Sequence, residues 1–75
     1  MRSLDRIVPG SRAVVHGIEA EDSFTRSLLE LGLVPGTEIE VIRRAPLGDP
    51  IELVVRGSHF SIRRQEARRI LVKAL

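Results

Sequence analysis

The chain has no cysteine, tryptophan or tyrosine, and its only aromatics are Phe24 and Phe60. Without cysteine, neither disulfides nor thiolate metal sites can hold it together. Both phenylalanines fall at expected core positions, which leaves no stacking platform for single-stranded nucleic acid. Lysine is nearly absent: Lys73 is the only one among twelve basic residues, and the arginines stay charged to very high pH. The high isoelectric point reflects that chemistry, because the net charge is only +2. No apolar run approaches the ~20 residues of a membrane-spanning helix, and no charged n-region leads into an apolar h-region. A cytoplasmic protein that is not inserted in a membrane is expected. At 75 residues there is room for one domain, residues 1–75, in which every apolar position of a small core counts.

What the chain does have is turn punctuation and apolar alternation with a period of two. Pro9-Gly10 marks a turn, and Ala13 and Val15 then alternate with Arg12, Val14 and His16, which predicts a first strand. Asp22 or Ser23 can cap a helix through a side-chain oxygen. Phe24, Leu28 and Leu31 follow at i, i+4 and i+7 on one helical face, and Gly32 supplies the left-handed stop. Pro35-Gly36 predicts a turn with Gly36 at positive φ. Thr37 to Arg44 reads as a second strand, with Ile39 and Val41 inward and Glu38, Glu40 and Arg44 outward.

Gly57-Ser58 predicts a two-residue II′ hairpin turn. That register sets Val55 against Phe60 and Leu53 against Ile62, with Ile51, Leu53, Val55, Phe60 and Ile62 on one face. On the other face it pairs Glu52 with Arg63. A helical turn over Gln65–Arg68 and a last strand through Ile70 and Val72 complete the chain. The expected fold is mainly β: a small, partly open SH3-like barrel of about five strands, with one short helix between the first two.

The inventory for chemistry is poor. The candidate metal ligands are His16 and His59, with Met1 and scattered carboxylates, and no His-x-x-x-His or Glu-x-x-His spacing joins them. No glycine-rich loop leads into a helix with a lysine, and no serine has a histidine that the sequence points to as its base. The expectation is therefore no enzyme, no catalytic residue and no cofactor. The doublets Arg43-Arg44, Arg63-Arg64 and Arg68-Arg69, with Arg56, could follow a phosphate backbone if they shared a face. Seven glutamates dilute that field, so a solvated face laced with ion pairs is expected instead, and no nucleic acid.

Two apolar residues do not settle into the core. Leu29 lies beside the buried helical stripe, and Leu47 sits at the tip of the loop between Pro46 and Pro50. Either they fold back over the open barrel end, or they line an apolar groove between helix and loop, held in place by the prolines.

The ordered set Leu31-Gly32-Leu33-x-Pro35-Gly36, Ala45-Pro46-Leu47-Gly48-Asp49-Pro50-Ile51, Gly57 and Ile62-Arg63-x-x-Glu66-Ala67-x-x-Ile70-x-Val72 resembles the ferrous iron transport protein A (FeoA) family from Leu4 to Val72. The same domain is similar to the C-terminal SH3-like module of iron-dependent repressors. The resemblance implies a cytosolic accessory protein of bacterial Fe(II) uptake, peripheral to the inner membrane through its partner. That partner is the cytosolic, G-protein-containing part of the transporter FeoB. Leu29, Leu31, Leu33, Pro46, Leu47 and Asp49 are then expected to form or support the docking surface. Open strand edges allow a weak homo-oligomer. The readings from other classes are a nucleic-acid-binding SH3-like barrel and an iron-binding or iron-sensing module.

Overall fold

The computed structural model describes residues 1–19 and 23–75, with the side chains of residues 24 and 25 also outside the description. The chain runs β1 (Arg2–Ser3), a 3-10 turn (Leu4–Arg6), β2 (Arg12–Ile18), α1 (Ser23–Glu30), β3 (Glu38–Arg44), β4 (Ile51–Val55), β5 (Ser58–Ile62), α2 (Arg64–Ala67) and β6 (Ile70–Ala74). The strands form one antiparallel sheet in the order β1-β6-β2-β3-β4-β5. Its edges, β1 and β5, do not pair with each other, so the barrel stays open. The expected architecture is present with one added strand: β1 pairs Arg2 with Val72 and Ser3 with Leu71.

Alternation builds the core. Ala13 and Val15 from β2, Ile39 and Val41 from β3, Ile51, Leu53 and Val55 from β4, Ile62 from β5, and Ile70 and Val72 from β6 are all buried. Leu4, Ile7, Leu28, Leu33 and Ala67 close the ends. Removing one leucine or isoleucine side chain of this kind from water is worth about 1.5–3 kcal/mol, a large share of what so small a domain can lose.

Two bulges interrupt the alternation. In the β2–β6 ladder the register shifts between Val15 and Gly17, leaving His16 as the extra, exposed residue. In the β3–β4 ladder it shifts between Val41 and Arg43, leaving Ile42 as the extra residue. The second bulge reverses the expected orientation of Arg44. The residue lies opposite core residue Ile51, half-buried rather than outward. Its Nη2 donates to the Asp5 carbonyl and, at 3.0 Å, to the Ile7 carbonyl. It thus fastens the N-terminal segment across the barrel end.

Helix α1 ends where Gly32 predicts. Gly32, at φ 97°, donates to the Leu29 carbonyl (3.0 Å), and Leu33 donates to the Leu28 carbonyl (3.1 Å). These are the two bonds of a Schellman stop, and its accompanying apolar contact is supplied by Leu28 and Leu33, both buried. Leu31 falls beyond the helix end and is exposed, so it does not build the barrel. The capping role of Asp22 and the core position of Phe24 lie outside the described residues.

The β4–β5 hairpin turns one residue earlier than expected. Val55 pairs with Ser58, Leu53 with Phe60 and Ile51 with Ile62, so Arg56 and Gly57 make the turn. Both have positive φ, 52° and 82°, which defines type I′ rather than II′. The pairing moves by two residues, so the same side chains keep the same face, and the apolar pattern cannot tell the two registers apart. The observed register sets Ile62 beside Ile51 and frees Arg63 to begin α2. Glu52 consequently faces Ser61 across the hairpin and pairs with Arg43 on β3, not with Arg63.

Candidate functional site

The surface features converge on the barrel end where β3 leaves and β4 enters. Residues 45–50 close a tight loop there. Gly48 donates to the Ala45 carbonyl (2.7 Å), and Ala45 donates to the Pro50 carbonyl (3.0 Å). Pro46 takes the second position of the Ala45–Gly48 turn, where a fixed φ near −65° suits the geometry. The Asp49–Pro50 peptide bond is cis. Leu47, at the tip, is 90% exposed. It does not fold back over the barrel.

Asp49 ties this loop to the rest of the fold. Its Oδ1 accepts from the Arg64 amide at 3.0 Å, at the first turn of α2, while Glu66 Oε1 accepts from the Arg63 amide at 2.7 Å. Those amides have no partner within a helix that starts there, so the two carboxylates satisfy them; the Asp49 bond locks loop against helix, and the Glu66 bond closes the helix's own first turn. Asp49 therefore orients Leu47, and α2 forms the ground beside it. The cleft next to Leu47 is lined by Asp49, Arg64, Gln65 and Arg68.

The six residues expected at a docking surface divide into three groups. Pro46, Leu47 and Asp49 sit together in the loop just described. Leu29 and Leu31, 42% and 54% exposed, sit at the C-terminal end of α1. Leu33 is fully buried, so it is core under the Schellman stop and can only support a surface. The Pro35–Gly36 turn enters β3 at one end and the Leu47 loop leaves it at the other. Across the length of β3, Glu38–Arg44, that is roughly 20 Å. The cleft beside Leu47 thus meets α2 and not α1, in place of the expected apolar groove between helix and loop.

Two of the arginine doublets contribute beside Leu47, through Arg64 and Arg68. Arg64 and Arg68 recur in a second cleft with Asp5, Arg6 and Arg44. The spacing of the Arg63-Arg64 and Arg68-Arg69 doublets across one short helix was the available signal. What the sequence could not show is that the 3-10 turn and the end of β3 bring Arg6 and Arg44 to the same place. The candidate metal ligands His16 and His59 are both exposed, His16 at the β2 bulge and His59 opposite Val54. Among the described residues no three histidine or carboxylate side chains gather as a metal site. No helix among them is long and apolar enough to cross a membrane.

Comparison with known proteins gives these features a family. A "Fe(2+) transport protein A/Fe(2+) transporter FeoB fusion protein" of Porphyromonas gingivalis is 33% identical over 72 residues, 96% of this chain and 8% of that protein. The chain therefore spans a small fraction of that relative. The solution structure of a FeoA protein from Chlorobium tepidum is 44% identical, with a TM-score of 0.91 over 97% of this chain and 70% of that one. A Stenotrophomonas maltophilia FeoA solved with zinc, described as a prokaryotic SH3 domain protein, is 31% identical, with a TM-score of 0.86 over 97% of this chain and 91% of its own. The FeoA domain model matches residues 2–74, and the chain belongs to the FeoA domain family.

Proposed function

We propose that this domain is a non-enzymatic docking module of bacterial ferrous-iron uptake that binds the cytosolic, G-protein-containing part of a FeoB transporter. The observation that carries this reading is the fusion relative, in which a FeoA-type segment 33% identical to this chain is one polypeptide with FeoB. Covalent linkage fixes two modules at high effective concentration, an arrangement suited to domains that work in contact. The surface agrees with that role. A leucine at 90% exposure on a braced turn costs little ordering when it enters a partner's pocket, so its burial is retained as affinity. On this reading the protein is cytoplasmic and reaches the inner membrane only through its partner.

The test is calorimetric titration of this chain into the isolated cytosolic domain of its own ferrous transporter, with and without guanine nucleotide. Binding is expected. Leu47→Asp should weaken it at least tenfold while leaving the circular dichroism and melting point unchanged. If wild type shows no binding in any nucleotide state, docking on this partner is wrong. If Leu47→Asp binds like wild type, Leu47 is not at the interface.

A further inference from the structure

Three clefts adjoin on the face that carries Leu47. One is bounded by Met1, Arg2 and Arg6, the next by Arg6, Arg44, Arg64 and Arg68 around Asp5, and the third by Arg64, Arg68 and Leu47. Arg6 is common to the first pair, and Arg64 and Arg68 to the second, so the three form one groove from the N-terminus to the Leu47 tip. Arg2, Arg6, Arg44, Arg64 and Arg68 line it, with Asp5 and Asp49 as its carboxylates.

The carboxylates near this groove are already engaged. Asp5 accepts from Ser3 and faces Arg68 Nε at 3.7 Å, Asp49 holds the Arg64 amide, Glu66 holds the Arg63 amide, and Glu52 pairs with Arg43. Among the described residues the Arg6 and Arg64 guanidiniums have no carboxylate partner. Arg44, on the floor, donates to main-chain carbonyls that leave its charge uncompensated, and its Nε has no hydrogen-bond partner among the described residues. Guanidiniums without a carboxylate partner, here Arg6, Arg44 and Arg64, attract anions, and their planar forks suit carboxylates or phosphates bidentately. The exposed leucine at one end adds an apolar requirement that a bare polyphosphate backbone does not meet.

We infer that this groove takes an extended acidic segment of a protein partner, its carboxylates along Arg6 and Arg64 and an apolar residue against Leu47. The assignment deepens the docking reading above by giving the chemistry of the partner. Complementary charge of this kind raises the rate of encounter and sets orientation, with Leu47 supplying the buried contact.

The experiment follows amide and arginine Nε–H shifts of the ¹⁵N-labelled chain as an acetylated Glu₆-Leu peptide is added, with a hexathymidylate oligonucleotide as the phosphate arm. Shifts are expected at Arg6, residues 44–49 and residues 64–68, weakening several-fold between low and high salt. Arg6→Glu with Arg64→Glu should reduce affinity about tenfold or more, without loss of fold, since neither guanidinium makes an ion pair among the described residues. Arg56→Glu, on the hairpin at the other end of β4, should change it little. Shifts elsewhere, no effect of the double reversal, or tighter binding of the oligonucleotide would each overturn the inference. The two readings separate cleanly. If the double reversal still binds the transporter domain at full affinity, the groove assignment fails and docking stands. If the peptide fills the groove but the transporter domain never binds, docking on FeoB fails and the groove stands.

Discussion

Replacing Leu33 with alanine separates a core residue from a docking residue. Leu33 is fully buried, its amide closes the Schellman stop on the Leu28 carbonyl, and both leucines lie in the same apolar cluster. Truncation leaves the backbone bond in place but removes three carbons from a site packed by α1 and the sheet, which cannot fully collapse. Leucine-to-alanine changes of this kind cost about 2–5 kcal/mol, and about 3 is the central expectation here. For a chain of this length total stability is on the order of 4–11 kcal/mol, so the loss is a large fraction of it. At about 4–8 °C per kcal/mol for a domain of this size, the melting point should fall by roughly 12–24 °C. The assay is urea unfolding by circular dichroism, with Leu47→Asp as comparison. That variant alters an exposed tip and should stay within about 0.5 kcal/mol of wild type. A Leu33→Ala loss below about 1 kcal/mol with an unchanged urea slope would refute the buried placement. In the folded fraction at low temperature, Leu33→Ala should still bind the transporter domain with wild-type affinity.

Two further predictions test the hairpin register. Arg56→Asn creates the Asn-Gly pair that type I′ turns favour, and should stabilise the domain by a few tenths to about 1 kcal/mol, read as a rise in urea midpoint; a II′ turn at Gly57-Ser58 would gain nothing. A double-mutant cycle between Arg43 and Glu52 should give a coupling of about 0.2–1 kcal/mol, modest because Arg43 is largely in water and Glu52 partly so, while the same cycle between Glu52 and Arg63 should give none.

Much of this fold is legible in the sequence because it is encoded locally. The Gly32 stop, the Pro35-Gly36 turn and the alternation through β2, β3 and β4 depend on φ preferences and on the two-residue period of a strand. Neither needs knowledge of the rest of the chain. The hairpin marks the limit of that logic. Two registers differing by two residues bury the same side chains, so the decision passed to the β3–β4 ladder and to the start of α2. Arg44 shows the same limit from another side. Alternation sends it outward, but a bulge at Ile42 turns it in, where the carbonyls of Asp5 and Ile7 supply partners that lie more than thirty residues away.

The candidate surface divides in the same way. The sequence by itself determined that Gly32 ends the helix and that Leu47 stands on a proline-bracketed turn. Both follow from residue types at short spacing. Only the tertiary structure decided that Leu33 is core, that Leu29 and Leu31 lie apart from the Leu47 loop, and that the ground beside Leu47 is arginine. Arg6, Arg44, Arg64 and Arg68 come from three separate parts of the chain, and no pattern of period or spacing joins them. Antiparallel pairing of β1 with β6 and the bracing of α2 by Asp49 bring them to one barrel end, where their charges add.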